Sequence, residues 1–406
     1  MLVLKAYKFK LKMTPDLEKK CHQMAGCCRF VWNKALSMNL ERLKNKQKLL
    51  WYHELAFWLT FWKKTEELNF LKGCHSQALQ QTIKNLDRAF KDAFDKKQSN
   101  KRVPVFKRKW EGDSFSYPQG FKVVNKRVFL PKIGWVAFHK SREIEGDLKN
   151  LIVKREVDGW YISIQVEQEL PEPVHSSQSV VGVDLGITRF ATLSNGQFFR
   201  PENHFREYEG RLARAQKKLA RQQKFSENWK KQKKKIGKIH HKIKNCRLDD
   251  LHKISNTISK NHAMVVLEDL QVKNMSKSAK GSVEIPGTKV KAKSGLNKSI
   301  LDQGWAKLRE FLRYKLHWLG GELVTIDPRY TSQTCPKCKN IDSNNRLTQS
   351  KFECVKCSYR NNADVVGAMN ILAAGLAVMV CQANLMKRSA AEICRKPQGS
   401  TALALV

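Results

Sequence analysis

No apolar run in the chain reaches the length of a membrane-spanning helix. The nearest, residues 371–381, is too short and reads as a buried helix. The layout of a signal peptide is missing too: residues 1–12 alternate apolar and lysine side chains, the period of a strand. Acids are scarce, 37 Asp and Glu against 76 Lys and Arg, a formal net charge of +39 over 406 residues. A field of that size fits a polyanionic partner, bound in a salt-dependent way. With no span in the reading, nucleic acid fits better than a membrane surface, and the expected address is cytoplasmic. A secreted disulfide framework is absent as well: Cys21, Cys27, Cys28, Cys74, Cys246, Cys381 and Cys394 are scattered and read as small core residues.

The length implies about two to four domains. After the N-terminal strand, Thr14-Pro15 starts a basic helix, with Thr as cap and Pro in the first turn. Two more helices are expected near residues 52–68 and 75–95. Trp51, Trp58 and Trp62 suit either the core or base stacking. Residues 101–110 form a basic linker. Strands follow at 127–130, 134–139, 151–157 and 160–166, the last two joined by a hairpin turn at Asp158-Gly159. Residues 170–178 read as a linker. A three-stranded meander covers residues 180–199. Residues 207–247 form a very basic helical hairpin broken near 225–228, which suits a nucleic-acid contact or a solvated face. A helix over 248–261, a strand over 263–270, a lysine-rich mobile loop over 274–298, a helix over 301–319 and a strand over 322–326 complete the pattern. A last helix opens at residues 362–364 and runs through Ala373, and a poorly ordered tail is expected from 381 to 406.

Two constellations carry chemistry. Cys335 and Cys338, then Cys354 and Cys357, have the spacing of a closed four-thiolate zinc site, structural and without an open position. The second is acidic. The apolar run Val180-Val181-Gly182-Val183 ends in Asp184, a second apolar strand ends in Glu268, and Asp364 sits at a helix start. A buried Asp is costly unless paired or metal-bound, so Asp184 is either a capped loop residue or a ligand. If the three converge, they would hold two divalent cations about 4 Å apart, Mg²⁺ or Mn²⁺ by the hardness of oxygen ligands. If they do not, they are ordinary surface acids. Asp269 and Asp327 are weaker candidates.

The ordered set of motifs resembles the TnpB family: RuvC-like nucleases encoded by insertion sequences, often labelled transposases and related to type V CRISPR effectors. The matching stretches are residues 26–33 (GCCRFVWN), 75–94, 130–136 (LPKIGWV), 183–187 (VDLGI), 267–270 (LEDL), 330–335 (YTSQTC) and 362–364 (NAD). Val366 stands where the family usually has Asn, though Asn370 is kept. Lys339 and Ser358 stand where glycine usually follows each knuckle, and the chain departs from the family after Cys381.

The resemblance implies that Asp184, Glu268 and Asp364 are the catalytic, metal-binding acids. It implies an RNA-guided, metal-dependent endonuclease of prokaryotes, associated with a transposon and acting at the nucleoid. Its partners would be a guide RNA from that transposon and double-stranded target DNA beside a short flanking motif, and it would act as a monomer. The expected fold is multidomain α+β. A helical recognition domain (13–104) is inserted in a small antiparallel wedge-like β-barrel (1–12 and 105–178). An RNase H/RuvC-like α/β nuclease domain (179–329 and 360–380) follows, carrying a zinc ribbon (330–359). The basic loop 274–298 would gate the acids. Two alternatives remain: a nucleic-acid-binding repressor that does not cut, and a transposase that joins strands directly.

Overall fold

The computed structural model describes residues 1–98, 100–109 and 112–395, without the side chains of 382–395. The linker's end at Trp110, the Cys394 thiol and the tail beyond Arg395 lie outside the described residues. The chain divides into two compact units, Met1–Pro171 and Glu172–Val406.

The first unit opens with strand β1 (Leu2–Lys10) and helix α1 (Pro15–Lys44). The Thr14 hydroxyl accepts from the Leu17 N–H, and Pro15 fills the first turn, whose N–H has no helical partner to lose. Helix α2 (Tyr52–Lys64), a 3-10 segment (Glu66–Gly73) and helix α3 (Ser76–Phe94) follow. Buried Asn39 holds the α1–α2 link by exchanging two hydrogen bonds with the Leu50 backbone, both 2.9 Å. The tryptophans serve packing first: Trp62 is buried, and Trp51 and Trp58 lie half-buried against the core.

Strands β2 (Ser114–Tyr117), β6 (Asp147–Glu156) and β7 (Gly159–Glu169) join β1 in an antiparallel sheet of order β1-β7-β6-β2. Strands β3 (Lys122–Val124), β4 (Arg127–Leu130) and β5 (Gly134–Ala137) form a second sheet. The expected closed barrel is not formed among the described residues. β1 and β2 remain the two edges of their sheet, and the lone bridge Leu11↔Phe138 links it to the other. β2, β3, β4 and β5 are too short to carry a continuous ladder around. Side chains close the gap instead: the Tyr117 hydroxyl donates to the Pro131 carbonyl at 2.9 Å, and both sheets share one core with the helices. The β6–β7 turn is Val157-Asp158, one residue earlier than expected, because Glu156 pairs with Gly159.

In the second unit a five-stranded mixed sheet runs β10-β9-β8-β11-β12. Its strands are β8 (Val180–Leu185), β9 (Ala191–Leu193), β10 (Phe198–Phe199), β11 (Met264–Glu268) and β12 (Glu322–Ile326). β8, β11 and β12 are parallel, and β9 and β10 form the antiparallel meander. Between them come helices α4 (His204–Ala220) and α5 (Glu227–Asn261), the latter one helix where two were expected. Helices α6 (Val272–Met275) and α7 (Val290–Gln303) take up much of the stretch expected as a mobile loop. Lys293 and Asn297 donate to the carbonyls of Met275 and Ser276, pinning that segment. Gly304, at φ +75°, breaks α7 from helix α8 (Trp305–Leu319) where one helix was expected. Strands β13 (Lys351–Glu353) and β14 (Arg360–Asn362) form the ribbon hairpin, and helix α9 runs Ala363–Arg395, past the expected end. Within α9, Ala363–Cys381 is long and apolar enough to cross a membrane, contrary to the sequence reading. Its first turns are buried: Val366 packs with the ribbon residues Cys335, Phe352 and Cys354, Ala368 lies against Gly182, and Ile371 joins the sheet residues Val266, Val324 and Ile326.

Alternation divides the sheet. Val181, Val183, Val265 and Leu267 join the core that contains α5 and α8 residues, while Val266, Val324 and Ile326 join Ile371 of α9. A Cβ on Gly182 would lie 2.1 Å from the Ala368 carbonyl oxygen and 2.6 Å from the Leu372 nitrogen. The helix backbone rests directly on β8, so only glycine fits there. Gly182→Ala is therefore expected to destabilise the chain by roughly 3 kcal/mol. Gly210→Ala, where nothing lies within 4 Å on α4, should not destabilise it. Chemical denaturation of the two variants checks this; equal midpoints would refute the close contact.

Candidate active site

The close approach of α9 gathers the acids. Asp184 lies two residues after Gly182, on the face that α9 covers. A Cβ on Gly367 would come within 3.1 Å of Asp184 Oδ2, so the helix also passes close to the Asp184 side chain. Asp364 is one turn before Gly367 and Ala368, which brings it to the same side. Leu267 pairs with Val183, so Glu268 follows at the level of Asp184 on the adjacent parallel strand. The three sequence-predicted acids therefore share one corner of the sheet, and all three are half-buried.

The electrostatics record this proximity. Burial pushes the Asp184 carboxyl up to about 7; Glu268 and then Asp364 push the same way, and Arg346 and the Leu185 N–H oppose them. Burial also raises Glu268, against the Thr331 hydroxyl, which donates to Glu268 Oε1 at 2.6 Å, and against Arg346. The Arg346 guanidinium lies 3.3 Å from Asp364 Oδ1 and donates to the Gln349 carbonyl at 3.0 Å. The three acids do not form a tight cage. Within this unit, among the described residues, the side chains that close to within 4.8 Å of one another are the four cysteines. The donor set still fits a hard divalent cation: carboxylate oxygens only, with burial raising the Asp184 carboxyl against the single guanidinium of Arg346.

The weaker candidates are accounted for otherwise. Asp269 pairs with Arg309, and Asp327 caps a turn at Arg329 N, with the Arg329 side chain 3.5 Å away.

The cysteines meet. Cys335 and Cys357 sulfurs are 3.6 Å apart, Cys338 and Cys354 sulfurs 3.5 Å. Four sulfurs about 2.3 Å from one zinc require separations of about this size. Each knuckle closes with the same bond: Lys339 N–H donates to the Cys335 carbonyl at 3.0 Å, Ser358 N–H to the Cys354 carbonyl at 2.9 Å. This turn puts both residues in the left-handed region, Lys339 at φ +62° and Ser358 at φ +56°. Buried Asn345 ties the knuckles together, accepting from Val355 N–H and donating to the Gln333 carbonyl. Its neighbour is Arg346, so the fold of the ribbon sets where that guanidinium reaches. Asn370 of α9 donates to the carbonyls of Thr331 and Thr334, fixing the approach to the ribbon.

Sequence reading missed Arg346 and Thr331. One arginine among so many cations carries no signal by itself; the usable clue was its place beside Asn345 between the two CxxC pairs.

The Probable transposase family profile of IS605 OrfB matches residues 163–279. The Cas12f1-like TNB domain matches residues 305–371, and a helix-turn-helix domain of the same OrfB group matches residues 1–48, where this chain forms β1 and the single helix α1. The Escherichia coli (strain K12) protein named "Putative RNA-guided DNA endonuclease InsQ" is 49% identical over 380 residues, 93% of this chain and 94% of its own. A Streptomyces pristinaespiralis protein with the same descriptive name is 32% identical over 415 residues, 98% of each chain. Among solved structures, a Cas12f1 chain from a complex with sgRNA and target DNA aligns over 91% of this chain and 98% of its own. The TM-score is 0.55 at 13% identity, a likeness of fold.

Two outcomes are expected. Lys339→Gly with Ser358→Gly should raise the melting temperature of the zinc-loaded protein, by relieving about 1 kcal/mol of backbone strain at each site. A fall would show that the side chains hold the knuckles. For Asp184, the folded carboxyl titrates near 7 against an ordinary 3.8, so the native state binds the extra proton between those values. Stability contributed by this group is thus lost as pH rises through that window. In zinc-loaded protein without added magnesium or manganese, Asp184→Asn should melt above the parent near pH 8 and level with it near pH 4; coincident curves near pH 8 would sink the burial argument.

Proposed function

The chain belongs to the TnpB/IS605 OrfB family, and from that premise we propose that it is a transposon-associated, RNA-guided DNA endonuclease whose cutting centre is Asp184, Glu268 and Asp364. The observation that carries the activity is the 49% identity to an RNA-guided DNA endonuclease by name, over 93% of the chain. What supports the residues is their shared corner and the raised Asp184 carboxyl, pushed up first by burial and then by Glu268 and Asp364.

The three carboxylates would hold Mg²⁺ or Mn²⁺. Such ions, when bound, activate water and offset charge at the leaving oxygen of a phosphodiester. The protein's own part is positional. α9 presents Asp364 from its first turn. Thr331 orients one oxygen of Glu268 and leaves the other free. Arg346 keeps a positive charge beside the acids, which favours their ionised state.

The zinc ribbon, through Asn345, is the positioning element for Arg346. A guide RNA from the transposon supplies sequence by base pairing, and double-stranded DNA with a short flanking motif is the target. The helical part (13–104) and the strands around it (1–12 and 105–178) hold the heteroduplex, residues 179–329 and 360–380 make up the nuclease domain, and the protein acts as a monomer in the cytoplasm.

The test uses protein purified with its co-purifying RNA, a matched plasmid and Mg²⁺. Cleavage that Asp184→Ala abolishes supports the reading. Binding without cleavage would favour a repressor, and joined strands made without RNA would favour a strand-transfer enzyme. Arg346→Ala should leave cleavage detectable but move the acid limb of the pH–rate profile to higher pH, since the guanidinium no longer favours the ionised acids. Arg346→Lys should restore part of the shift. An unmoved limb would show that Arg346 acts elsewhere.

A further inference from the structure

We infer that the α4–α5 hairpin is a binding arm for a single strand of RNA, gripping its phosphates in a cleft between the helices and stacking a base on Phe225 at the tip. The occupant's identity as RNA rests on the guided-nuclease reading above; the site itself does not.

The arm has its own small core, Leu212 and Ala215 against Ile239 and Ile243, separate from the cores on either face of the sheet. It is moored at its base. His204 pairs with Asp250, Arg247 pairs with buried Asp302, and Asp302 also accepts from the Phe205 N–H at 2.9 Å. Beyond the mooring lies a cleft of about 660 Å³. Arg211, Arg214 and Lys218 line one wall, Lys235, Lys238 and Lys242 the other, and no acid lines it. Each row spans about 10 Å of helix axis, from 1.5 Å per residue. From Arg211 to Arg247 there are fifteen Lys and Arg and a single acid, Glu227, which pairs with Lys230 on the outside of the turn.

Two rows of cations facing each other repel, and a small apolar core has to outweigh that. A polyanion laid between the rows removes the repulsion and releases its own counterions. A solvated charged face would intersperse acids at i,i+3 and i,i+4, as this chain does at Asp249–Lys253 and Lys307–Glu310. The cleft does not.

The tip adds an independent observation. Phe225 is 73% exposed and held at φ +70°, a conformation unfavourable for an aromatic residue, with its ring in water. Its partner is the Trp229 ring at 5.5 Å, over which Lys233 sits at 5.1 Å. An exposed aromatic pair flanked by lysine, at the end of a cationic track, is a stacking platform for an unpaired base. The strand to be cut must reach the carboxylates on the sheet. The arm's small core shares no residue with the clusters on either face of that sheet, and on the guided-nuclease reading the strand it grips is the RNA.

Arg214→Gln, Lys218→Gln and Lys238→Gln, combined in the full-length chain stripped of nucleic acid by high salt, test the cleft. Fluorescence anisotropy of the zinc-loaded protein without added magnesium or manganese is measured against salt, with mixed-sequence single-stranded RNA, single-stranded DNA and duplex DNA as probes. For RNA we expect affinity to fall about tenfold or more and the log–log salt slope to shrink by about 2, from 0.7 per phosphate contact. Phe225→Ala should weaken RNA binding with the slope unchanged. Without nucleic acid at low salt, the triple variant should melt no lower than the parent, because repulsion is relieved. An unchanged RNA slope, or a lower melting temperature, overturns the site. Equal or larger losses on either DNA probe overturn the RNA assignment. Because binding is read without added magnesium or manganese, a chain that fails to cleave yet shows the lost slope counts against the nuclease reading alone.

Discussion

The second unit depends on one contact: the backbone of α9 lying directly on β8. Gly182 makes room for the Ala368 carbonyl and the Leu372 nitrogen, and Gly375 makes room for Val266 of β11 in the same way. Two strand residues on, the same approach carries Asp184 against Gly367 and Asp364 toward both. Burial of Val366, Ala368 and Ile371 holds three acids together that would otherwise separate. Hydrophobic burial of Val366 and Ile371, about 1.5–3 kcal/mol each, is of the size needed to offset one carboxyl titrating near 7.

The ribbon acts on that corner from the other side. Its four thiolates close two knuckles, Asn345 joins them, and the next residue puts a guanidinium beside Asp364. Thr331, at the ribbon's entry, holds Glu268 and is itself held by Asn370 of the same helix that carries Asp364. Zinc held by these cysteines would bear on the carboxylates without touching them, by fixing the loop from which Arg346 extends. The left-handed Lys339 and Ser358 are a cost the thiolate site tolerates, since metal binding can contribute on the order of 10 kcal/mol to folding such a module.

Local pattern explains what was legible. Val180–Leu185 and Met264–Glu268 were readable as strands because β-branched runs end at an acid and a turn. The cysteine spacing named its own geometry, and the three acids were placed at the ends of the right elements. Closure of a barrel was not legible, because it depends on which edges pair, and the β2, β3, β4 and β5 runs say nothing of that. The lysine-rich stretch 274–298 was read as loop from its composition, but Lys, Ala and Leu are good helix formers, and α7 uses them. The length of α9 was underestimated since the polar residues after Cys381 permit a helix as readily as a coil. Arg346 was hidden by abundance: in a chain with 76 basic residues, position and not identity makes one of them special.

The chain's charge has one further consequence. Almost everywhere its field draws a polyphosphate in, and the α4–α5 arm is the extreme case. At the sheet corner the sign reverses, with three carboxylates and one guanidinium. Phosphate drawn onto such a molecule would be turned away at that one corner unless protons or cations neutralise it. A proton on Asp184 removes part of that negative charge below about 7. Above that, only added positive charge makes the corner compatible with the rest of the surface. A strongly basic chain with an acidic corner fits the proposed centre, where a bound cation would offset the charge that phosphate meets there.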